Sequence, residues 1–237
     1  MNFYNLPLYY ISFTKDLNFE CNFKKFGFSN IHHFEAIDGK QFKPADLLQK
    51  KLITVRAYND FIHGRHEHAG LPSLGAVGCA LSHYNLWKLC ISQKWPCIII
   101  AEDDCVFRKK PTQKNINDIT SAINKPNGIF VSEKISNNNF MGSHLYFASL
   151  TACKTLLENF LPIDIQVDSY ISHLAKISLL NLKGYPIASP KKHKSAIQDT
   201  CIKCKLPNNN YFYLGIIVAL VLVFIVICIV VTKFFYD

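Results

Sequence analysis

The sequence predicts an α/β protein with a mostly parallel central sheet. Apolar runs of strand length alternate with runs of helical spacing from the start of the chain. The run "CIIIAEDD", residues 97–104, is apolar enough to be buried, yet it ends abruptly in three adjacent acids. With 237 residues, 49% hydrophobic and only 18% charged, the chain suffices for one well-packed domain and is short for two.

Taken in order, "LPLYYISF" is aromatic and alternates enough to be the first strand. "NIHHFEAIDGK" reads as a second strand closing in an Asp38-Gly39 turn, and "PADLLQKKLITV" has helical spacing. A Gly/His-rich loop, "FIHGRHEHAGLPSLGAVG", leads into a helix through "AVGCALSHYNLWKLCISQ", where Val77, Leu81, Tyr84 and the Leu86 to Leu89 stretch keep one face apolar. The acid-ended strand follows at once. "QKNINDITSAIN" is predicted helical, "GIFVS" a strand, "NNNFMG" a loop and "HLYFASL" a strand. "TACKTLLENFL", capped by Ser149, and "QVDSYISHLAKI" are helices. The α/β domain is placed at residues 1–200, with a linker at 201–210.

Residues Tyr211 to Thr232 carry no charge. At helical rise they span the roughly 30 Å hydrocarbon core of a bilayer, which predicts a transmembrane helix and a short tail, 233–237. The N-terminus lacks a basic n-region and a small-residue cleavage site, so the expectation is a single-pass, C-terminally anchored protein. Lys191, Lys192, Lys194, Lys203 and Lys205 precede the span and only Lys233 follows it, which places the domain in the cytosol by the positive-inside rule. Nine cysteines at irregular spacing and the lack of an Asn-x-Ser/Thr sequon agree with that side. A net charge of +9 is spread along the chain, with no basic helix or zinc-finger spacing to gather it, so nucleic acid is not an expected partner.

Glu102, Asp103 and Asp104 then need an explanation. In an open α/β sheet, ligands bind outside the carboxyl ends of the strands. Like charges crowded there raise one another's pKa unless a cation or hydrogen-bond donors compensate. Hard oxygen ligands with open positions suit Mg²⁺ or Mn²⁺ better than zinc, and phosphate oxygens complete the shell. The competing explanation is a solvated turn whose acids merely end a strand.

Other motifs decide between the two. "AIDGK", "GCALSHYNLW", "IIAEDDCVF", "GSHLYFAS", "IQVDSYI" and "SAIQDT" occur in this order. Together they resemble glycosyltransferase family 25, the lipooligosaccharide and procollagen galactosyltransferase family, from "LYYISF" to "SAIQDT". The resemblance implies a GT-A fold, a Rossmann-like sandwich, and inverting transfer of a hexose, typically galactose, from a UDP-sugar donor with Mn²⁺ (or Mg²⁺). It implies metal contact by Asp104, with Glu102 or Asp103 on the ribose or a metal-bound water. If the motif stayed extended, Glu102 and Asp104 would share a face. Asp38, Gly78, Ser82, His83, His144 and Gln198 are the further nucleotide-sugar candidates. Asp168 is the candidate general base for the acceptor hydroxyl, with Asp164 as runner-up; either also suits the start of a helix. The acceptor is an unspecified glycan, lipid or protein.

Some features depart from that pattern. The first strand runs on as "ISFTKDLNF", with Ser12, Phe13 and Lys15 where the family usually has an Asn-Leu pair and arginines. This leaves a competing reading, a catalytically degenerate domain acting as a membrane-anchored binding or scaffold module. His63, His66 and His68 offer a zinc reading against that of a polar loop, and Cys201-x-x-Cys204 offers palmitoylation against that of an ordinary linker.

Overall fold

A computed structural model describes residues 2–65, 67–107 and 109–190. Strand β1 is Leu8–Ser12 and is followed by helix α1, Leu17–Lys25, which starts where the Asp16 carboxylate accepts the Asn18 and Phe19 N–H groups. Strand β2 is Ile31–Glu35; beyond it Asp38 caps a 3-10 turn, Gly39–Gln41. Helix α2, Pro44–Gln49, opens on proline, where a missing N–H costs nothing. The helical stretch expected over 44–55 breaks here. Lys51 takes a positive φ of 55°, Ile53 forms a parallel bridge to Ile163, and Thr54 caps a separate helix α3, Val55–His63, within what the sequence suggested was the approach to a loop.

Helix α4, Leu74–Ser92, is capped by Ser73 and delivers the chain to strand β3, Cys97–Glu102. The two-residue strand β4, Cys105–Val106, is followed by α5, Gln113–Ile123, whose start is a reciprocal capping box of Thr112 and Asn115. Then come β5, Gly128–Val131, and β6, Leu145–Ser149. Helix α6, Leu150–Phe160, is capped by Ser149 as expected, and α7, Val167–Lys176, precedes β7, Asn181–Gly184, and β8, Ser189–Pro190.

The main sheet has the order β2-β1-β3-β6-β5-β7. The β1–β2, β1–β3 and β5–β7 pairs are parallel, which bears out a mostly parallel sheet. Strand β6 departs from it, running antiparallel to both neighbours with Ile99 opposite Phe147 and Phe130 opposite Phe147. Strands β4 and β8 form a separate small sheet, so the chain reaches Pro190 opposite Cys105, just past the acids.

Alternation along the central strands supplies two cores. Ile98 and Ile100 of β3, with Tyr146 and Ala148 of β6, face α4, α6 and α7; Cys97, Ile99 and Ala101, with Leu145 and Phe147, face α1 and α5. The result is three layers, helix–sheet–helix. The long helix α4 is buried on more than one face: Val77, Ala80, Leu86 and Trp87 are inaccessible, and so are Ser82 and His83. The predicted span at 211–232 and its linker lie outside the described residues. Among the described residues no helix is long and apolar enough to cross a membrane.

One close approach fixes how α4 meets the β2 rim. A Cβ on Gly78 would sit 2.2 Å from the Ile37 carbonyl oxygen and 2.6 Å from the Gly39 nitrogen, and one on Gly39 would run into the Leu74 carbonyl. Backbone on backbone leaves no room to yield. Gly78→Ala gains about 1 kcal/mol of helix propensity but overpacks this contact; the expected outcome is a net loss of about 2 kcal/mol, read as a lowered midpoint in urea unfolding.

Candidate active site

Strand β1 hands the chain to β2 on one side, while β3 lies on its other side, so the sheet changes winding direction between β1 and β3. Their carboxyl ends open on a cleft of about 290 Å³ lined by Ser12, Phe13, Asp38, Gly75, Cys79, Glu102 and Asp103, among others. This is where an α/β sheet offers a ligand buried walls and free loop ends.

The acids do not continue the strand. Sheet pairing ends with Ile11 opposite Glu102, and Asp103 and Asp104 form a turn into β4, so alternation does not govern them. Glu102 is the most engaged. Its Oε1 accepts the Ser143 hydroxyl at 2.5 Å and lies 3.5 Å from His83 Nε2, while its N–H donates to the His144 carbonyl at 2.9 Å. Burial pushes Glu102 toward the neutral acid, but the contact with His83, the Ser143 hydroxyl and the charge of His144 outweigh it and hold the carboxyl below the ordinary carboxylate range. Asp103 is exposed at the cleft wall. Asp104 is the reverse of Glu102: burial, then the charge of Glu102, raise its pKa to about 6 against the pull of His144.

Three ligand-type atoms here are buried without a hydrogen-bond partner, Asp104 Oδ1, His144 Nε2 and His83 Nε2. His144 is 3% exposed, and its other ring nitrogen, Nδ1, lies 3.4 Å from Glu133 Oε1. A carboxylate behind an imidazole whose outer nitrogen is free is the arrangement that orients histidine toward a cation. Asp104 and His144 therefore offer free ligand atoms in the electrostatic neighbourhood of Glu102; among the described residues the trio whose ligand atoms all lie within 4.8 Å of one another is Cys79, His83 and Glu102.

The remaining candidates separate. Asp38 lines the cleft and caps Lys40 N–H at 3.0 Å. Gly78 is filled against Ile37 and Gly39, so it shapes the rim and leaves no space for a ligand. Ser82 Oγ donates to the Gly78 carbonyl at 2.8 Å and accepts the Ile37 N–H at 2.9 Å, pinning the loop that carries Asp38. His83 is wholly buried behind Glu102, with Nδ1 2.8 Å from the Tyr146 hydroxyl. Gly78 and Ser82 thus shape the rim by packing and hydrogen bonding within the protein. Asp168, in the first turn of α7, accepts the Gly142 N–H at 2.8 Å and the Ser169 N–H at 2.7 Å. Its charge reaches the same place as the acidic motif: burial and then Glu102, Asp168, Asp104 and Asp103 raise the Cys79 thiol.

Asp164, the runner-up candidate base, is held in a clamp away from the acids. Its carboxylate takes the Thr54 hydroxyl and the Arg56 guanidinium, the latter at 2.9 Å, and it borders a different cavity with Pro162 and Tyr170. It ties the segment before α7 to the start of α3. Gln198 lies outside the described residues. Of the histidine loop, His66 lies outside the described residues. Lys15, where an arginine was expected, is paired with Glu20 at 3.4 Å.

Sequence reasoning passed over Glu133, Ser143 and Cys79. Glu133 lies two residues past the carboxyl end of β5, and the rule that singled out the EDD motif applies to it equally.

The fold and the rim together define an α/β protein with a cleft at the switch point of its sheet, bordered by clustered acids. The chain belongs to glycosyltransferase family 25 (LPS biosynthesis protein), whose profile matches residues 9–171, well over half its length. A "Glycosyltransferase 25 family member" of Drosophila melanogaster is 32% identical over 92 residues, covering 39% of this chain and 14% of that protein. "Procollagen galactosyltransferase 2" of Homo sapiens is 30% identical over 92 residues, covering 37% of this chain and 14% of that protein. The matched part is thus about a seventh of each relative. Mouse xyloside xylosyltransferase 1 aligns with 73% of this chain and 60% of its own at a TM-score of 0.31 and 11% identity, too loosely to bear on the fold.

The raised pKa of Asp104 has a sign for stability. A carboxyl that titrates higher when folded contributes nothing adverse below about pH 4, opposes folding increasingly up to about pH 6 and opposes it fully above. Screening at this partly exposed group leaves on the order of 1 kcal/mol. Asp104→Asn is therefore expected to raise the melting temperature of the metal-free protein at pH 8 and to leave it nearly unchanged at pH 4, which thermal melts at the two pH values will show.

Proposed function

We propose that this chain is a metal-dependent, inverting glycosyltransferase that moves a hexose, galactose in the first instance, from a UDP-sugar to a glycan, lipid or protein acceptor. The observation that carries the reading is the pair of buried, unpartnered atoms Asp104 Oδ1 and His144 Nε2, next to a cleft at the β1–β3 switch point. Family membership and relatives with galactosyltransferase names support the choice of reaction.

In this reading the nucleoside lies along the cleft between Phe13 and Asp38, and the diphosphate reaches the rim at Glu102 to Asp104. Mn²⁺ or Mg²⁺ held by Asp104, His144 and Glu102 would neutralise charge building on the leaving UDP. Glu133 keeps the His144 ring turned to that position, and Ser143 and His83 keep Glu102 ionised and directed. Asp168 takes the proton of the acceptor hydroxyl as its oxygen attacks the anomeric carbon from the face opposite the diphosphate. Its two backbone donors fix the carboxylate, and each oxygen retains a second acceptor position for that hydroxyl. The predicted C-terminal span would hold the domain at a membrane, on the cytosolic side, where a lipid-linked or cytosolic acceptor is the natural partner.

The test is release of UDP from UDP-galactose by the full chain, with a screen of other UDP-hexoses, in Mn²⁺ and after chelation. Turnover is expected only with metal. Asp104→Asn and His144→Ala should each lower kcat/KM by at least about 100-fold, or ~3 kcal/mol of transition-state stabilisation. Neither nucleotide binding nor turnover under any condition would instead support the scaffold alternative, which the altered first-strand segment Ser12–Lys15 favours. A second assay separates the two aspartates. Asp168→Asn should lower kcat by about 10²–10⁴-fold with little change in melting, whereas Asp164→Asn should lower the melting temperature and spare kcat.

A further inference from the structure

Behind the rim lies a second set of ligand atoms with different chemistry. Cys79 and His83 are four residues apart on α4, so both side chains project from one helix face. Cys79 Sγ, a ring nitrogen of His83 and a carboxylate oxygen of Glu102 lie within 4.8 Å of one another. His83 is 0% exposed; its Nε2 has no hydrogen-bond partner and points at Glu102 from 3.5 Å, longer than a good hydrogen bond. Its Nδ1 is fixed 2.8 Å from the Tyr146 hydroxyl, which also accepts the Trp87 indole N–H at 2.9 Å. The imidazole is thus held from behind, as in metal sites whose second shell fixes the ring. Cys79 reaches the cleft, which supplies an entry path.

We propose that Cys79, His83 and Glu102 form a binding site for a thiophilic divalent cation of the zinc class, distinct from the oxygen-rich position at Asp104 and sharing only Glu102 with it. One thiolate, one imidazole and one carboxylate, with a fourth position open to the cleft, is a tetrahedral set that Zn²⁺ accepts and that Mg²⁺ and Mn²⁺ do not favour. On binding, the Cys79 thiol gives its proton to water as the sulfur–metal bond forms. The imidazole carries its single proton on Nδ1, donated to the Tyr146 oxygen, and Nε2 meets the ion.

Cobalt(II) reports sulfur ligation directly. The full chain, with Cys201 and Cys204 changed to serine, is titrated with Co²⁺. A thiolate-to-cobalt charge-transfer band is expected to saturate at one equivalent and to vanish when Zn²⁺ is added. Cys79→Ser should abolish the band, His83→Gln should weaken Co²⁺ binding at least tenfold, and Asp104→Asn should leave the band in place. No band, or a band that survives Cys79→Ser, overturns the proposal. A second measurement needs no substitution at the site: Zn²⁺ should protect Cys79 from alkylation, read by mass spectrometry, and unchanged labelling counts against the site. Neither result bears on sugar transfer, which the donor assay reads separately.

Discussion

Negative charge gathered where a buried strand runs out is the constraint around which this molecule is arranged. Cys97 to Ala101 are inaccessible, so β3 carries its backbone through the middle of the domain and releases it at Glu102, where solvent and protein meet. Ionised carboxylates there are partly desolvated and close to one another, and each needs a reason to stay charged. Glu102 finds one in Ser143 and the two histidines, and its pKa falls; Asp104 has less help, and its pKa climbs. The divergence between neighbours two residues apart divides the motif into a carboxylate already satisfied by protein and one that awaits a partner.

The rest of the fold can be read as support for that edge. Helix α4 approaches the sheet closely enough that Gly78 touches the Ile37–Gly39 backbone, and Ser82 clamps the same loop, so the cleft wall bearing Asp38 is set by helix–loop packing. Trp87 and His83 are both hydrogen-bonded to the Tyr146 hydroxyl, and this buried column ends 3.5 Å from Glu102. Asp164 with Arg56 and Thr54 performs a structural task farther away, joining the segment before α7 to α3. Two aspartates four residues apart in one segment therefore serve different ends, Asp168 beside the acids and Asp164 in a clamp.

The α/β alternation, most helix starts and the acidic strand edge were legible in the sequence, because each depends on local pattern: the caps at Ser149 and Asp38, and the apolar run before the acids. What was hidden depends on partners distant in the chain. Nothing local in "HLYFASL" announces that β6 runs against its neighbours, and nothing local to Asp164 announces Arg56. The break before Thr54 was missed because apolar spacing runs on through Ile53, which turns out to be spent on a bridge to Ile163. The column behind Glu102 was half visible: His83 stood out as a polar residue in an apolar helix, but its partner Tyr146 looked like ordinary strand filling.

The reversed direction of β6 has a consequence for how the chemistry is encoded. Because β6 opposes β3, the residues preceding one strand meet those following the other, and the alignment of Ala101 with Leu145 brings Ser143 and His144 level with Glu102. A slip of a single residue between these strands would exchange the two faces of β6, turning Tyr146 away from α4 and delivering phenylalanine to the place of its hydroxyl. The arrangement of polar groups at the rim is thus inherited from hydrophobic registration deep in the sheet. Buried methyl groups at Ile98 and Ile100 act as the alignment marks for the polar groups at the rim.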